Sequence, residues 1–276
     1  MRIDAHQHFW QYDAATHAWI TDEMRVIQRD FLPADLQPLL EAHGFDGCMA
    51  VQAEQQVAET HWLLALAAQH AFIKGVIGWV DLKAPDIQDQ LLSFSGFPQL
   101  KGFRHVVQAE PAGFLLDSDF NRGIACLKDF SFIYEILVYE HQLAEVVLFV
   151  QQHPNQVFVL DHIGKPNLRL SEPSTNWFTQ LEKLAAFPNV HVKISGLITE
   201  AVWNQWTASQ FRPYLDFVLQ QFGPQRILYG SDWPVCLLAG TYEEVVQVVQ
   251  EWVASFGDNH MADLFWGMNA ARLYRL

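Results

Sequence analysis

The chain has 276 residues, half of them apolar and only 17% charged, with a formal net charge of −14. So much apolar side chain excludes a disordered segment and supplies a large buried core. A surface this acidic repels phosphate backbones and anionic membranes, so neither nucleic acid nor lipid is an expected partner.

The chain opens Met1-Arg2-Ile3-Asp4-Ala5-His6, with no apolar stretch of signal-peptide type. No later apolar run approaches the roughly 18 residues of a membrane span. Cys48, Cys126 and Cys236 are scattered and form no CxxC pair, which reads as three reduced thiols in a cytoplasmic protein. Eight β-rich runs then follow in order: 2–8, 46–54, 73–81, 100–107, 132–139, 157–163, 190–196 and 226–232. Their starts lie about 25–45 residues apart, the size of a strand–helix unit. Between them, 59–71, 121–128, 142–152, 177–187 and 242–255 have helical spacing of apolar residues, the last with Val245, Val248, Val249 and Trp252 on one face. Thr241 with Glu244 three residues on predicts a capping box at its start.

Eight strands alternating with helices require parallel pairing and right-handed crossovers. Eight is also the number that closes an α/β TIM barrel, here one domain over residues 1–276. An open doubly wound sheet would carry a glycine-rich phosphate turn after its first strand. This first strand ends instead in His6-Gln7-His8-Phe9-Trp10, so no organic cofactor is expected.

In such a barrel the chemistry gathers at the C-terminal strand ends. His6 and His8, two apart, project from one face and suit a metal or a polarised substrate. Glu54, ending the second run, is placed to orient a histidine, touch a substrate hydroxyl or cap a helix. Arg104 and His105 have opposite parity, so only one faces the mouth unless a bulge admits both. Glu135 within an apolar run needs a partner if buried. His162 ends the sixth run beside Asp161. On the seventh, Val190, Val192 and Ile194 face the helices, so Lys193 points inward and needs a carboxylate, and Ser195 lies nearest the mouth. Asp232 ends the eighth run directly before Trp233-Pro234, positioned as a general base. Trp10, Trp79 and Trp233 are candidates to wall the mouth. His17, His43, His61, His70, His153 and His260 fall in loops or helices and have no assigned part.

Four motifs in this order, Ile3-Asp4-Ala5-His6-Gln7-His8-Phe9-Trp10, Gly102-Phe103-Arg104-His105, Leu160-Asp161-His162-Ile163-Gly164-Lys165-Pro166 and Tyr229-Gly230-Ser231-Asp232-Trp233-Pro234-Val235, resemble the amidohydrolase-related family, in particular its sugar-lactone hydrolase branch. The resemblance spans the whole chain. It implies hydrolysis of a small sugar-acid lactone such as L-fuconolactone by a base-activated water. His6, His8, His162 and Asp232 match the family's metal-ligating positions, and Asp232 and His162 become the catalytic pair. Arg104, His105, Glu54 and Trp233 are the candidate substrate contacts. Lys101 comes too early and His141 too late for a dinuclear centre. The resemblance therefore implies one divalent ion, zinc foremost, or a metal-free site. Rival readings on the same barrel are a metal-dependent C–N hydrolase and a nonoxidative decarboxylase. A noncatalytic sugar-binding barrel is the reading of another class.

Overall fold

The computed structural model describes residues 1–170 and 174–276. Eight parallel strands follow one another in sequence order: β1 (Ile3–Gln7), β2 (Gly47–Val51), β3 (Ile73–Gly78), β4 (Leu100–Val106), β5 (Ile133–Leu137), β6 (Phe158–Leu160), β7 (Val190–Ile194) and β8 (Ile227–Tyr229). Between and around them run α1 (Pro33–Ala42), α2 (Val57–Gln69), α3 (Ile87–Phe94), α4 (Ser118–Leu127), α5 (Leu143–Gln152), α6 (Thr175–Ala185), α7 (Leu197–Glu200), α8 (Ala208–Phe222), α9 (Tyr242–Ala254), α10 (Asn259–Asp263) and α11 (Asn269–Tyr274). This is a TIM barrel in a single domain. The ring closes where β1 meets β8. There the His8 amide donates to the Trp233 carbonyl at 2.7 Å and the Asp232 amide to the His6 carbonyl at 2.8 Å. No helix among the described residues is long and apolar enough to cross a membrane.

Alternation along each strand separates two cores. Outward residues such as Phe103, Tyr134, Leu160 and Ile194 join a large apolar layer against the helices. Inward residues Ile3, Ala5, Met49, Val51, Ile77, Ile133, Val159 and Leu228 form a small interior cluster, floored by Ala270 and Tyr274 of α11. Burying an aliphatic side chain of this kind is worth about 1.5–3 kcal/mol, and β-branched residues fit the pleated inner wall. The capping box at α9 is present, with Thr241 Oγ1 accepting from the Glu244 amide at 3.2 Å and Glu244 Oε2 from the Thr241 amide at 2.7 Å.

All eight strands are shorter than their sequence runs, and two are only three residues long. β6 stops at Leu160 and β8 at Tyr229. Beyond them His162, Ile163 and Asp232 take positive φ, which leaves the extended conformation a ladder requires.

Candidate active site

Three devices bring the titratable side chains into the mouth. The first is an irregularity in β1. Ile3 and Ala5 face inward, yet Gln7 faces outward, its amide on Cys48 Sγ at 3.3 Å. The register against β2 shifts between Asp4 and Gln7, so alternation slips by one residue and His6 and His8 both turn into the barrel. The second is the left-handed run His162-Ile163-Gly164-Lys165, with φ of 53°, 49°, 74° and 48°. Such conformations cost of order 1–3 kcal/mol per non-glycine residue. The run lets His162 follow Asp161 inward where regular alternation would turn it out. The third is Asp232, also left-handed at φ 58°, which inherits the inward parity of Leu228 and Gly230. Two glycines make room. A Cβ on Gly196 would lie 2.7 Å from His162 Nδ1, and one on Gly230 would lie 2.5 Å from His6 Cβ.

Asp232 Oδ1 is the focus of the cluster. It lies 3.5 Å from His8 Nε2, 3.7 Å from His6 Nε2 and 3.9 Å from His162 Nε2. The other nitrogen of each ring is held from behind. His8 Nδ1 donates to the Val51 carbonyl at 2.8 Å, which leaves Nε2 as a lone pair. His162 Nδ1 is 2.9 Å from Ser195 Oγ, and His6 Nδ1 is 3.3 Å from Asp161 Oδ1. Burial pushes the pKa of all three imidazoles down, well below the ordinary value for His6 and His162. Burial works the other way on Asp232, but His162 and His8 beside it prevail and hold its carboxyl below the usual carboxylate value. The mouth thus presents three imidazole nitrogens around one carboxylate oxygen.

Below this cluster lies a second polar tier. Lys193 Nζ pairs with Glu135 and sits 3.2 Å from Asp161 Oδ1 and 3.1 Å from His6 Nδ1. Tyr274 of α11 donates to Glu135 Oε1 at 2.6 Å. Arg104 Nη1 is 3.2 Å from Asp161 Oδ2 and 3.3 Å from His6 Nε2, and its Nη2 bonds the Gln52 carbonyl and, at 2.8 Å, Gln52 Oε1. All these side chains are buried. Removing one partner would strand a charge, so the tier is a rigid support for His6. Burial alone would raise Asp161, but Lys193 and Arg104 more than offset it and keep its pKa low. Asp4 braces the seam of the ring. Its Oδ1 accepts from the Ser231 amide at 2.9 Å and its Oδ2 from the Tyr242 hydroxyl at 3.1 Å, while burial pushes its pKa up to about 6.

The candidates divide accordingly. His6, His8, His162 and Asp232 converge. Between Arg104 and His105 the choice falls to Arg104, because β4 pairs with β5 in unbroken register. His105 turns out against Phe114, with its Nε2 2.8 Å from Glu110 and Trp79 Nε1 donating to its Nδ1. Trp233 does not line the mouth either. It is buried in edge-on contact with Phe9 and Phe31, and Trp10 is likewise buried against Phe31. Glu54 meets a histidine, as one of its readings had it, but the partner is His17, with Nε2 3.3 Å from Oε1. His17 is fully buried in the loop over the mouth and was invisible by spacing. Lys165 and Glu200 also stand at this rim, 3.0 Å apart. Lys165 stood in the sixth-strand motif, but the sequence assigned it no part.

The donor set fits a divalent ion. Ligands at about 2.0–2.1 Å in a tetrahedral zinc site lie about 3.3 Å from one another, and the histidine-to-aspartate spacings here are a few tenths of an ångström wider. The fixed Nδ1–H of His8 on a carbonyl is the arrangement that frees Nε2 for a metal. His6, His8 and Asp232 make one possible set, and His6, Asp161 and His162 another. The first keeps Asp161 free to support His6.

Comparison with known proteins agrees with this architecture. The amidohydrolase family model matches residues 3–276. An L-fucono-1,5-lactonase of Burkholderia multivorans is 44% identical, covering 100% of this chain and 96% of its own length. An L-fucono-1,5-lactonase of Burkholderia ambifaria is 34% identical over the same shares of the two chains. The crystal structure of an amidohydrolase from Burkholderia multivorans with bound zinc superposes with a TM-score of 0.96 at 44% identity, over 100% of this chain and 99% of that one. With a buried histidine–aspartate cluster at the mouth of its barrel and a family match along nearly its entire length, this chain belongs to the amidohydrolase family.

Proposed function

We propose that this protein is a lactonase, hydrolysing the ester bond of a sugar-acid lactone of the L-fucono-1,5-lactone type. The observation that carries the reading is the convergence of His6, His8 and His162 within 3.9 Å of the buried Asp232 carboxylate. Full-length identity to two L-fucono-1,5-lactonases supports the substrate class.

Lactone hydrolysis needs an activated water, stabilisation of the carbonyl oxygen as it gains charge, and a proton for the leaving ring oxygen. Asp232 takes the proton from water and returns it to the ring oxygen. It is ionised and buried beside the three rings, with Oδ1 3.5 Å from His8 Nε2, so it stands where a water proton can be accepted. His162, held by Ser195, and His8, held by Val51, flank that carboxylate and orient the water and the carbonyl beside it. A zinc ion held by His6, His8 and Asp232 would polarise the lactone carbonyl as a Lewis acid. Arg104 and Lys193 act from below, keeping the His6 ring in place. Glu54, 3.3 Å from His17 Nε2, remains a candidate substrate contact.

Asp232→Asn tests the assignment. Turnover of L-fucono-1,5-lactone should fall by about 10²–10⁴-fold, the usual worth of a positioned acid–base group, with an unchanged far-ultraviolet circular dichroism spectrum. Near-normal hydrolysis would remove Asp232 as the base. Failure of the wild type on every aldonolactone, with turnover of an amide or release of carbon dioxide from an aromatic acid, would replace the lactonase reading by a C–N hydrolase or a decarboxylase.

A further inference from the structure

The left-handed turn after β6 has a second product besides His162. One turn of such a coil brings residue i+3 to the side of residue i, so Lys165 rises beside His162. The turn is firmly held. Ile163 is buried with its carbonyl accepting from Trp177 Nε1 at 2.8 Å, and the Lys165 amide returns to the His162 carbonyl at 2.9 Å. The Lys165 ammonium lies 3.0 Å from Glu200 Oε1, at the end of α7, and 5.7 Å from the ring centre of Tyr139, just beyond β5. These three residues follow neighbouring strands on the rim that carries His162 and Asp232. The side chains of Lys165 and Glu200 are 18% and 21% exposed, open enough to be touched from the mouth and too enclosed to be an ordinary solvated surface pair. Burial disfavours the ammonium, but Glu200 and then Asp232 outweigh it and keep Lys165 charged.

An ammonium has three N–H donors and no acceptor, and a carboxylate is acceptor-only. Their mutual contact uses one of each, which leaves donors on Lys165 and an oxygen on Glu200. Adjacent hydroxyls on a sugar ring each donate and accept, so the pair complements them, and hydrogen bonds to charged groups are the stronger kind. We propose that Lys165 and Glu200 read the ring hydroxyls of the substrate, so that a polyhydroxylated lactone is preferred to a bare one. This rests on the lactonase reading and names the feature of the lactone that the site selects. The competing role is a staple between the loops after β6 and β7.

The test compares wild type with Lys165→Met, Glu200→Gln and Lys165→Arg on L-fucono-1,5-lactone and on unsubstituted δ-valerolactone, with thermal midpoints alongside. A lactone turned over too slowly to follow is measured as a competitive inhibitor of the other. The Met and Gln variants should lose about 10- to 100-fold in kcat/KM on the hydroxylated lactone, mainly through KM, as expected when a buried polar partner is left without its hydroxyl. Their constants for δ-valerolactone should stay within about threefold of wild type, and Arg should recover part of the loss. Equal losses on both lactones would make the pair a staple and overturn the proposal, as would no loss on either. A wild type that accepts neither lactone would instead sink the parent reading, and this one with it.

Discussion

Gly196 matters for what it lacks. Its φ is +65°, and a methyl group there would press on His162 Nδ1 at 2.7 Å and approach Asp232 Oδ2 at 3.3 Å. Gly196→Ala should displace the imidazole, break its bond to Ser195 and lower kcat/KM about 100-fold, since misplacement by about 1 Å costs that much. The left-handed strain adds about 1–3 kcal/mol of destabilisation. Kinetics beside a thermal melt would check this, and wild-type turnover in the variant would take His162 out of the proposed set. At this scale the sequence was informative wherever a polar residue ended an apolar run, as at His6, His8, His162 and Asp232. It left Arg104 and His105 undecided, where one residue of parity chooses between mouth and helix layer, and it misplaced Trp233, which is buried against Phe9 and Phe31. His17 gave no signal because it sits in an irregular loop whose direction no period predicts, and Lys165, past a left-handed turn, and Glu200, ending a four-residue helix, were given no part for the same want of a period.

Among the elements, β7 shows how far alternation can be trusted. Val190, Val192 and Ile194 pack outward and Lys193 turns in to meet Glu135 and Asp161, as the period of two requires. His191 shares that inward face near the floor. Its pKa is pushed down to about 4, first by burial and then by Arg226 and Arg272. The folded state therefore binds this proton less readily than the unfolded chain does. Stability is complete above about pH 6.5 and declines as the pH falls toward 4, by of order 2–3 kcal/mol. His191→Gln should flatten the dependence of the urea midpoint on pH between 6.5 and 4, and an unchanged slope would refute the assignment. The strands were legible because β-branched runs recur at even intervals. Six helices, α1, α3, α7, α8, α10 and α11, were not, and α7, α10 and α11 run only four to six residues. α1 and α8 carry Pro38 and Pro213 inside them, and a proline in that position ordinarily argues against a helix. α3 is only eight residues long, too short for its period to stand out.

For the molecule as a whole, the decisive feature is the seam between β1 and β8. His6 and His8 stand on one side of it and Asp232 on the other, joined across it by main-chain bonds and by the Asp4–Ser231 contact. The β1–β8 join has fewer ladder bonds than β1–β2 or β2–β3, since it rests on an isolated bridge from Gln7 to Trp233. In a urea titration, lactone turnover should therefore be lost at a lower denaturant concentration than the helical circular dichroism signal. Coincident curves would show that the join is no weaker than the rest. That eight strands close on themselves was readable from their number and spacing. That the reactive cluster lies across the closure was implicit only in His6 and Asp232 belonging to the first and last of them.

A ring whose proposed working atoms straddle its own fastening cannot be active in part. While the chain is being synthesised, no nascent fragment short of the eighth strand holds the acid near the rings, however well its earlier strand–helix units have formed. Hydrolytic competence then appears only when the eighth strand has joined the first.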